Sequence, residues 1–104
     1  MDAQLKKGLI DYCVLAALKN GESYGYKIVG DLLPCLTLSE STLYPVLRRL
    51  ESRGDVTSRE EICAGRVRRY YALSPEGEKH LGEFSETLNT LQKITEFIQS
   101  GGKK

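Results

Sequence analysis

The sequence contains few of the residues from which metal sites and active sites are usually built. It has one histidine, three cysteines and no tryptophan. Because Cys13, Cys35 and Cys63 are separated by 22 and 28 positions, no zinc ligand set can be assembled from neighbouring residues. A glycine-rich phosphate loop and a recognisable nucleophile motif are also missing. We therefore expect no bound metal, no cofactor and no enzymatic activity.

Long apolar segments are absent as well. No apolar run approaches the roughly 18 residues that a membrane-spanning helix requires, and no segment has the pattern of a signal peptide. An odd number of cysteines without such a segment indicates free thiols in a reducing compartment. The sequence therefore predicts a cytoplasmic protein without a membrane partner, and its 104 residues suffice for one compact domain.

The net charge is small, but the charges are unevenly distributed. The chain has 15 basic and 14 acidic residues, which give a formal net charge of +1. All seven arginines lie between positions 48 and 69, where four acidic residues leave a net charge of +3. Guanidinium groups suit bidentate contacts with phosphate and guanine. The segment therefore indicates a nucleic-acid-binding surface, the alternative being an ordinary solvated surface.

Apolar periodicity predicts three helices in the first half of the chain. The first spans about 4–19 and is apolar on most sides, so we expect it to be buried. The second is capped by Ser23 and ends near Leu33, because Pro34 cannot continue it.

The third helix has two candidate N-caps. Thr37 fits a capping box with Glu40, and Ser39 is an equally good cap. Pro45 removes a backbone donor inside the helix and predicts a bend or a loosened turn. The apolar stripe of the helix consists of Leu43, Val46, Leu47 and Leu50.

After Gly54 the apolar pattern changes from a period of 3.6 to a period of 2. Residues 56–62 and 66–73 alternate, and a turn at 63–65 separates them. This pattern is typical of a β-hairpin, and the second strand of the hairpin is strongly basic.

A last helix is predicted to begin at Ser74 and Pro75, a capped start with proline at the first helical position. Apolar residues at a spacing of three and four along this helix form a coiled-coil-like seam, which favours pairing with an identical chain. Residues 100–104 are too polar to pack, so we expect a disordered tail there. The seam consists of Leu81, Phe84, Leu88, Leu91, Ile94 (or Thr95) and Ile98.

Three helices followed by a β-hairpin describe a winged helix-turn-helix, a mainly α fold with a small β-hairpin. In this fold the third helix enters the major groove of DNA, and the hairpin contacts the adjacent backbone or minor groove. We expect a winged-helix DNA-binding domain at 1–74 and a C-terminal dimerisation helix at 75–99. The alternatives are a winged helix that binds only proteins and a dimer that primarily senses small molecules.

Three segments resemble the PadR family of bacterial transcriptional regulators: YGYKI at 24–28, STLYPVLRRLESRG at 41–54 and GRVRRYYALSPEG at 65–77. They occur in order and at the spacing of the family, and the resemblance extends from about 9 to 98. The length is similar to that of the short subfamily, which has one C-terminal helix. The resemblance implies a homodimeric repressor that binds an inverted-repeat operator in double-stranded DNA and releases it when an effector binds.

The resemblance also implies which residues contact DNA. Gly25 is interpreted as a site of close packing, Lys27 as a phosphate contact, and Ser39 as both a cap and a phosphate donor. Arg49 is as well suited to an ion pair within the domain as to DNA. The recognition helix provides Ser41, Thr42, Tyr44, Pro45 and Arg48, and the wing provides Gly65, Arg66 and Arg68.

The chain departs from the family pattern in two ways. Asp55 stands where an apolar residue is common, so we expect the first wing strand to start later or to pack less tightly. Short members that sense flat drugs hold them between aromatic side chains, often tryptophan, at the dimer interface. This chain has no tryptophan. Phe84 and Phe97 are the candidates to line such a space for a small aromatic or cationic effector, the alternative being that both are seam or core residues.

Overall fold

The computed structural model describes residues 3–102, with side chains described from residue 7 onward. Four helices and a three-stranded antiparallel sheet of order β1-β3-β2 make up the fold. This confirms the predicted winged helix. The elements are α1 (Ala3–Ala17), β1 (Ser23–Tyr24), α2 (Gly25–Leu32), α3 (Glu40–Ser52), β2 (Val56–Cys63), β3 (Arg66–Leu73) and α4 (Pro75–Ser100).

The hydrophobic core lies where α1, α2, α3 and the base of the β2–β3 hairpin meet. Every member of the predicted stripe on α3 is buried, and the helix is continuous through Pro45, so the expected loosened turn does not interrupt it. Among helices within 3–102, none is long and apolar enough to cross a membrane. The fully buried apolar core consists of Val14, Leu15, Leu18, Ile28, Leu32, Leu43, Val46, Leu47, Leu50, Val56 and Tyr71.

Helix α3 is capped at both ends by its own sequence. Ser39 is the N-cap, and its hydroxyl accepts the backbone N–H of Thr42 at 3.2 Å. The capping box of Thr37 and Glu40 is therefore wrong, because Glu40 is the first residue of the helix and not the third. At the other end the N–H of Asp55 donates to the carbonyl of Leu50 at 2.9 Å, the wider bond of a Schellman motif.

Strand β1 was not predicted. Ser23 was expected to cap α2, but it lies in β1 and pairs with Tyr71, while Tyr24 occupies the N-cap position without a side-chain hydrogen bond. The hydroxyl of Ser23 is buried and has no partner among the described residues. A two-residue strand carries no periodic signal in the sequence, and a serine just before a helix has the pattern of an N-cap, so Ser23 was assigned to the cap.

The β2–β3 hairpin closes with a two-residue turn. Ala64 and Gly65 have φ angles of 53° and 77°, the left-handed pair that a type I′ turn requires. Cys63, which was predicted to belong to the turn, instead pairs with Arg66 as the last residue of β2.

Asp55 is buried and does not delay the hairpin. Strand β2 begins at the next residue, Val56, which is itself buried. Asp55 is 0% exposed, and its carboxylate accepts from Arg53 at 3.0 Å and lies 2.7 Å from Nδ1 of His80. The expectation of a late or loose strand was wrong because these two partners, one on each side along the chain, compensate the buried charge.

The N-terminal end of helix α4 packs directly against the backbone of this buried aspartate. Its N-cap Ser74 donates its backbone N–H to the carbonyl of Asp55 at 3.0 Å, and the hydroxyl of Ser74 accepts the N–H of Gly77. A Cβ on Gly77 would lie 2.0 Å from the same carbonyl oxygen. Only glycine therefore allows α4 to approach the start of β2 this closely.

The C-terminal end of α4 reaches into the segment 100–104 that was expected to be a disordered tail. Ser100 is the last helical residue, and Gly101 caps the helix in the left-handed conformation. Lys103 and Lys104, which complete the predicted tail, lie outside the described residues.

Replacement of Gly77 by alanine is expected to destabilise the fold by about 3 kcal/mol, because the added methyl group meets backbone that cannot move aside. Gly82 is the matched control on the same helix, since a Cβ added there would meet no atom within 4 Å beyond its chain neighbours and the adjacent backbone of α4. Gly82→Ala should leave stability unchanged or raise it by about 0.5–1 kcal/mol. Urea denaturation at fixed protein concentration measures both, and equal stabilities for the two variants would contradict the contact.

Candidate nucleic-acid interface

Two of the seven arginines stabilise the end of α3. Arg49 donates to the carboxylate of Asp11 on α1, and Asp11 is buried. Arg53 bridges Asp11 at 3.5 Å and Asp55 at 3.0 Å. The open alternative for Arg49 is thus resolved in favour of an ion pair within the domain.

Two further arginines, both on the hairpin, form ion pairs with glutamates. Arg59 donates through Nε to Glu22 at 3.0 Å and lies 3.7 Å from Glu61. Its hydrogen bond lowers the pKa of Glu22 below the usual value. Arg69 donates to Glu60 at 3.2 Å. Both guanidinium groups are exposed, but each already faces a carboxylate.

The remaining three arginines are Arg48, Arg66 and Arg68. None of them forms an ion pair with an acidic group among the residues that the structure describes. Arg68 lies over the ring of Tyr24, with its Cζ 4.2 Å from the ring centroid, a cation–π contact that orients the side chain. The uncompensated positive charge of the 48–69 segment therefore sits on α3 and β3, at the arginines that the sequence assigned to DNA.

Hydroxyl groups cluster at the N-terminal end of α3. The Oγ of Ser39 lies 3.0 Å from the hydroxyl oxygens of both Ser41 and Thr42, and all three residues are exposed. Pro45 and Arg48 are also exposed and follow Ser41 by four and seven positions. This spacing places them on one face of the helix, so the predicted recognition residues share a surface.

Tyr44 is less accessible than expected. It is half-buried, its hydroxyl donates to Glu40 at 3.1 Å, and burial together with this bond raises its pKa above the usual value. A Cβ on Gly25 would lie 2.7 Å from the Tyr44 hydroxyl oxygen, which confirms the close packing interpreted for Gly25. Tyr44 therefore joins α3 to α2 and does not project freely from the recognition surface.

Lys27 is an exposed residue of α2 and forms an ion pair with Asp31 at 2.9 Å. The pair joins successive turns of one helix, where such contacts are weak. Lys27 keeps access to solvent, and its charge is partly compensated.

A cavity of about 520 Å³ lies between the N-terminal half of β3, which extends beyond β1, and the starts of α2 and α3. Arg66 and Arg68 line one side, and Tyr24 and Tyr26 line another. Sequence reasoning missed the two tyrosines as part of this surface. Their only signal in the sequence was the YGYK run at 24–27, which gains meaning once β1 places Tyr24 beside β3.

A second cavity, of about 620 Å³, lies between α1 and α4. Tyr12 and Phe84 stack on its wall with ring centroids 3.8 Å apart, and burial raises the pKa of the Cys13 thiol. Phe97 lies elsewhere on α4 and is exposed.

The predicted seam of α4 is divided into two parts. Leu81 packs against the core and Phe84 against Tyr12. Beyond them the helix carries an exposed apolar stripe formed by Leu88, Leu91, Ile94, Phe97 and Ile98.

The sequence and the fold are similar to those of known regulators. The model of the transcriptional regulator PadR-like family matches residues 14–83. A curated transcriptional regulator of Mycobacterium tuberculosis is 39% identical over 56 residues, which make up 54% of this chain and 52% of that relative. The match thus spans about half of the relative's length.

Solved structures with this fold include two PadR proteins. A PadR family transcriptional regulator from Eggerthella lenta is 30% identical, with a TM-score of 0.81 over 92% of this chain and 86% of that chain. The Bacillus subtilis PadR structure in complex with operator DNA is 27% identical, with a TM-score of 0.68 over 73% of this chain and 45% of that chain.

Proposed function

Because the chain belongs to the PadR-like family of transcriptional regulators, whose members are not enzymes, we propose that it is a homodimeric repressor that binds an inverted-repeat DNA operator. The observation that carries the proposal is the distribution of the arginines. Of the seven, the three without an acidic partner in the described part of the chain lie on α3 and β3, the two elements that a winged helix lays against DNA.

Helix α3 enters the major groove in this proposal. Arg48 reads a base edge, for which a guanine is the common partner of arginine, and Ser41 and Thr42 donate to phosphates or base edges at the start of the helix. Pro45 lies between them on the same face, and Tyr44 holds the helix against α2. The DNA complex of the Bacillus subtilis PadR supports double-stranded DNA as the partner.

The hairpin contacts the backbone beside the recognition helix. Arg66 and Arg68 pair with phosphates, and the tight turn at Gly65 lets the backbone come close to the duplex. Lys27 and Ser39 add phosphate contacts from the starts of α2 and α3. Phosphate contacts supply most of the affinity and make it dependent on salt.

The exposed stripe of α4 pairs with the same stripe of a second copy. Five large apolar side chains on one helix need a partner to leave water, and self-pairing gives a two-fold axis. The axis places two recognition helices about 34 Å apart, one turn of duplex, and requires an inverted-repeat operator.

The cavity between α1 and α4 is the proposed effector site. Its volume of about 620 Å³ is within the range of small-molecule sites, and its wall carries the stacked rings of Tyr12 and Phe84, which suit a flat aromatic ligand. Because α4 is also the proposed dimer helix, a ligand that prefers one position of α4 changes the spacing of the recognition helices and releases DNA.

Loss of Arg66 and Arg68 together is expected to lower the salt slope of DNA binding by about two units, one for each lost phosphate contact. The measurement is fluorescence anisotropy of an operator selected from a random library, titrated at several salt concentrations. Lys79→Ala/Lys93→Ala is the control, since it removes the same charge from α4. An unchanged slope in Arg66→Ala/Arg68→Ala would contradict the wing contacts.

Introduction of glutamate at Leu91 is expected to convert the dimer to a monomer, because the charge cannot be buried between two helices. Sedimentation equilibrium measures the mass directly. Asn89→Glu adds the same charge at an exposed position outside the stripe and should remain dimeric. A monomeric wild-type protein, or a dimeric Leu91→Glu variant, argues against pairing through this stripe.

Phenylalanine at Ala16, which lines the cavity, should weaken binding of a flat aromatic probe at least tenfold by filling the space. The fluorescence of 1-aminoanthracene, which rises in apolar surroundings, reports binding. Gln92→Phe adds the same ring at an exposed position of α4 outside the apolar stripe and should bind like the wild type. Equal binding by wild type and Ala16→Phe would exclude the cavity as the effector site.

A further inference from the structure

The tip of the β2–β3 hairpin carries an exposed apolar pair. Ile62 and Val67 face each other across the two strands and are 76% and 65% exposed. Strand alternation places them on the same hairpin face as Ser58 and Tyr71, the face that packs against α3 nearer the core. Tyr71 on this face is buried, whereas the pair at the tip is in contact with water.

Polar side chains separate this pair from the core. Between Tyr71 and the tip, Arg69 donates to Ser58 at 3.0 Å and to Glu60 at 3.2 Å. The apolar pair is therefore not an extension of the core. Because both side chains stay exposed, they add little buried apolar surface to stabilise the fold. Single exposed apolar residues are common, but here two β-branched side chains lie together at the end of a projecting element.

The neighbours of the pair indicate what could cover it. Arg66 and Arg68 flank Val67 in β3, and strand alternation places them on the opposite face of the hairpin. They are two of the three arginines without an acidic partner in the described residues. A hairpin tip that is apolar on one face and cationic on the other is complementary to a groove whose walls carry both apolar groups and anions. The walls of the DNA minor groove have this chemistry, since apolar deoxyribose faces alternate there with phosphates.

We propose that Ile62 and Val67 contact the deoxyribose walls of the minor groove and give the wing a preference for A·T base pairs. Guanine places an N2 amino donor in the minor groove, and an apolar tip offers it no acceptor. A·T pairs present no such donor and also allow the narrow groove that brings both walls into contact. The proposal rests on the proposed DNA binding and assigns a specificity role to the same wing.

The test compares two duplexes that share the selected operator and differ only where the wing lies, one with A·T pairs and one with G·C pairs. Wild-type protein is expected to prefer the A·T duplex. Ile62→Thr/Val67→Thr keeps β-branched residues in both strands and should bind the A·T duplex about tenfold more weakly. Its preference should disappear while its salt slope stays at the wild-type value, because no charge has been removed.

Arg66→Ala/Arg68→Ala is the complementary control. It should lower the salt slope on both duplexes and retain the A·T preference. Val67→Thr alone replaces one methyl group by a hydroxyl and leaves the strand intact, so a partial loss of preference in this variant separates contact from misfolding. A urea midpoint equal to that of the wild type confirms that each variant is folded.

The outcomes distinguish this inference from the function on which it rests. Failure of the wild-type protein to bind either duplex would refute the proposed function. Wild-type binding with unchanged affinity and preference in Ile62→Thr/Val67→Thr would refute only the apolar contact. A fall in the salt slope of this variant would also refute it, because the pair would then act by positioning the arginines.

Discussion

The buried carboxylate of Asp55 is the interaction on which the rest of the structure depends. It meets Arg53 at the end of α3 and His80 on α4, and its backbone groups bond to Leu50 and Ser74. Removal of either partner would leave the buried carboxylate less well compensated and would therefore lower the stability of the fold. A single residue thus joins the recognition helix, the first wing strand and α4, and the relative placement of these three elements follows from it.

Ion pairs of this kind also decide which arginines keep an uncompensated charge. Arg49 and Arg53 form ion pairs with Asp11 and Asp55, and Arg59 and Arg69 form ion pairs with surface glutamates. A nearly neutral protein therefore keeps a small region of uncompensated positive charge. A winged helix with seven free arginines would bind any duplex strongly. In the proposed DNA complex, compensation of four of them would lower the sequence-independent part of the affinity and leave more of the discrimination to α3.

Features with a local signal were predictable from the sequence. The α3 stripe, the Ser39 cap and the capped start of α4 at Ser74 each depend on residues within one or two turns. Strand β1 was missed because two residues carry no period. The burial of Asp55 and the pairing of Arg59 with Glu22 could not be foreseen, because their partners lie 25 and 37 positions away and only the fold brings them together.

Helix α4 is held at its first turns by Asp55 and extends far beyond this contact, so a small rotation at the contact becomes a large displacement at the other end. A helix of 26 residues is about 39 Å long, and its first turns are clamped by Gly77 and His80. A rotation of about 5° at that clamp displaces the far end, near Ile98, by about 3 Å. The rise of one base pair is about 3.4 Å, so in the proposed dimer a small angular change at the clamp would shift the two copies by roughly one step of the duplex.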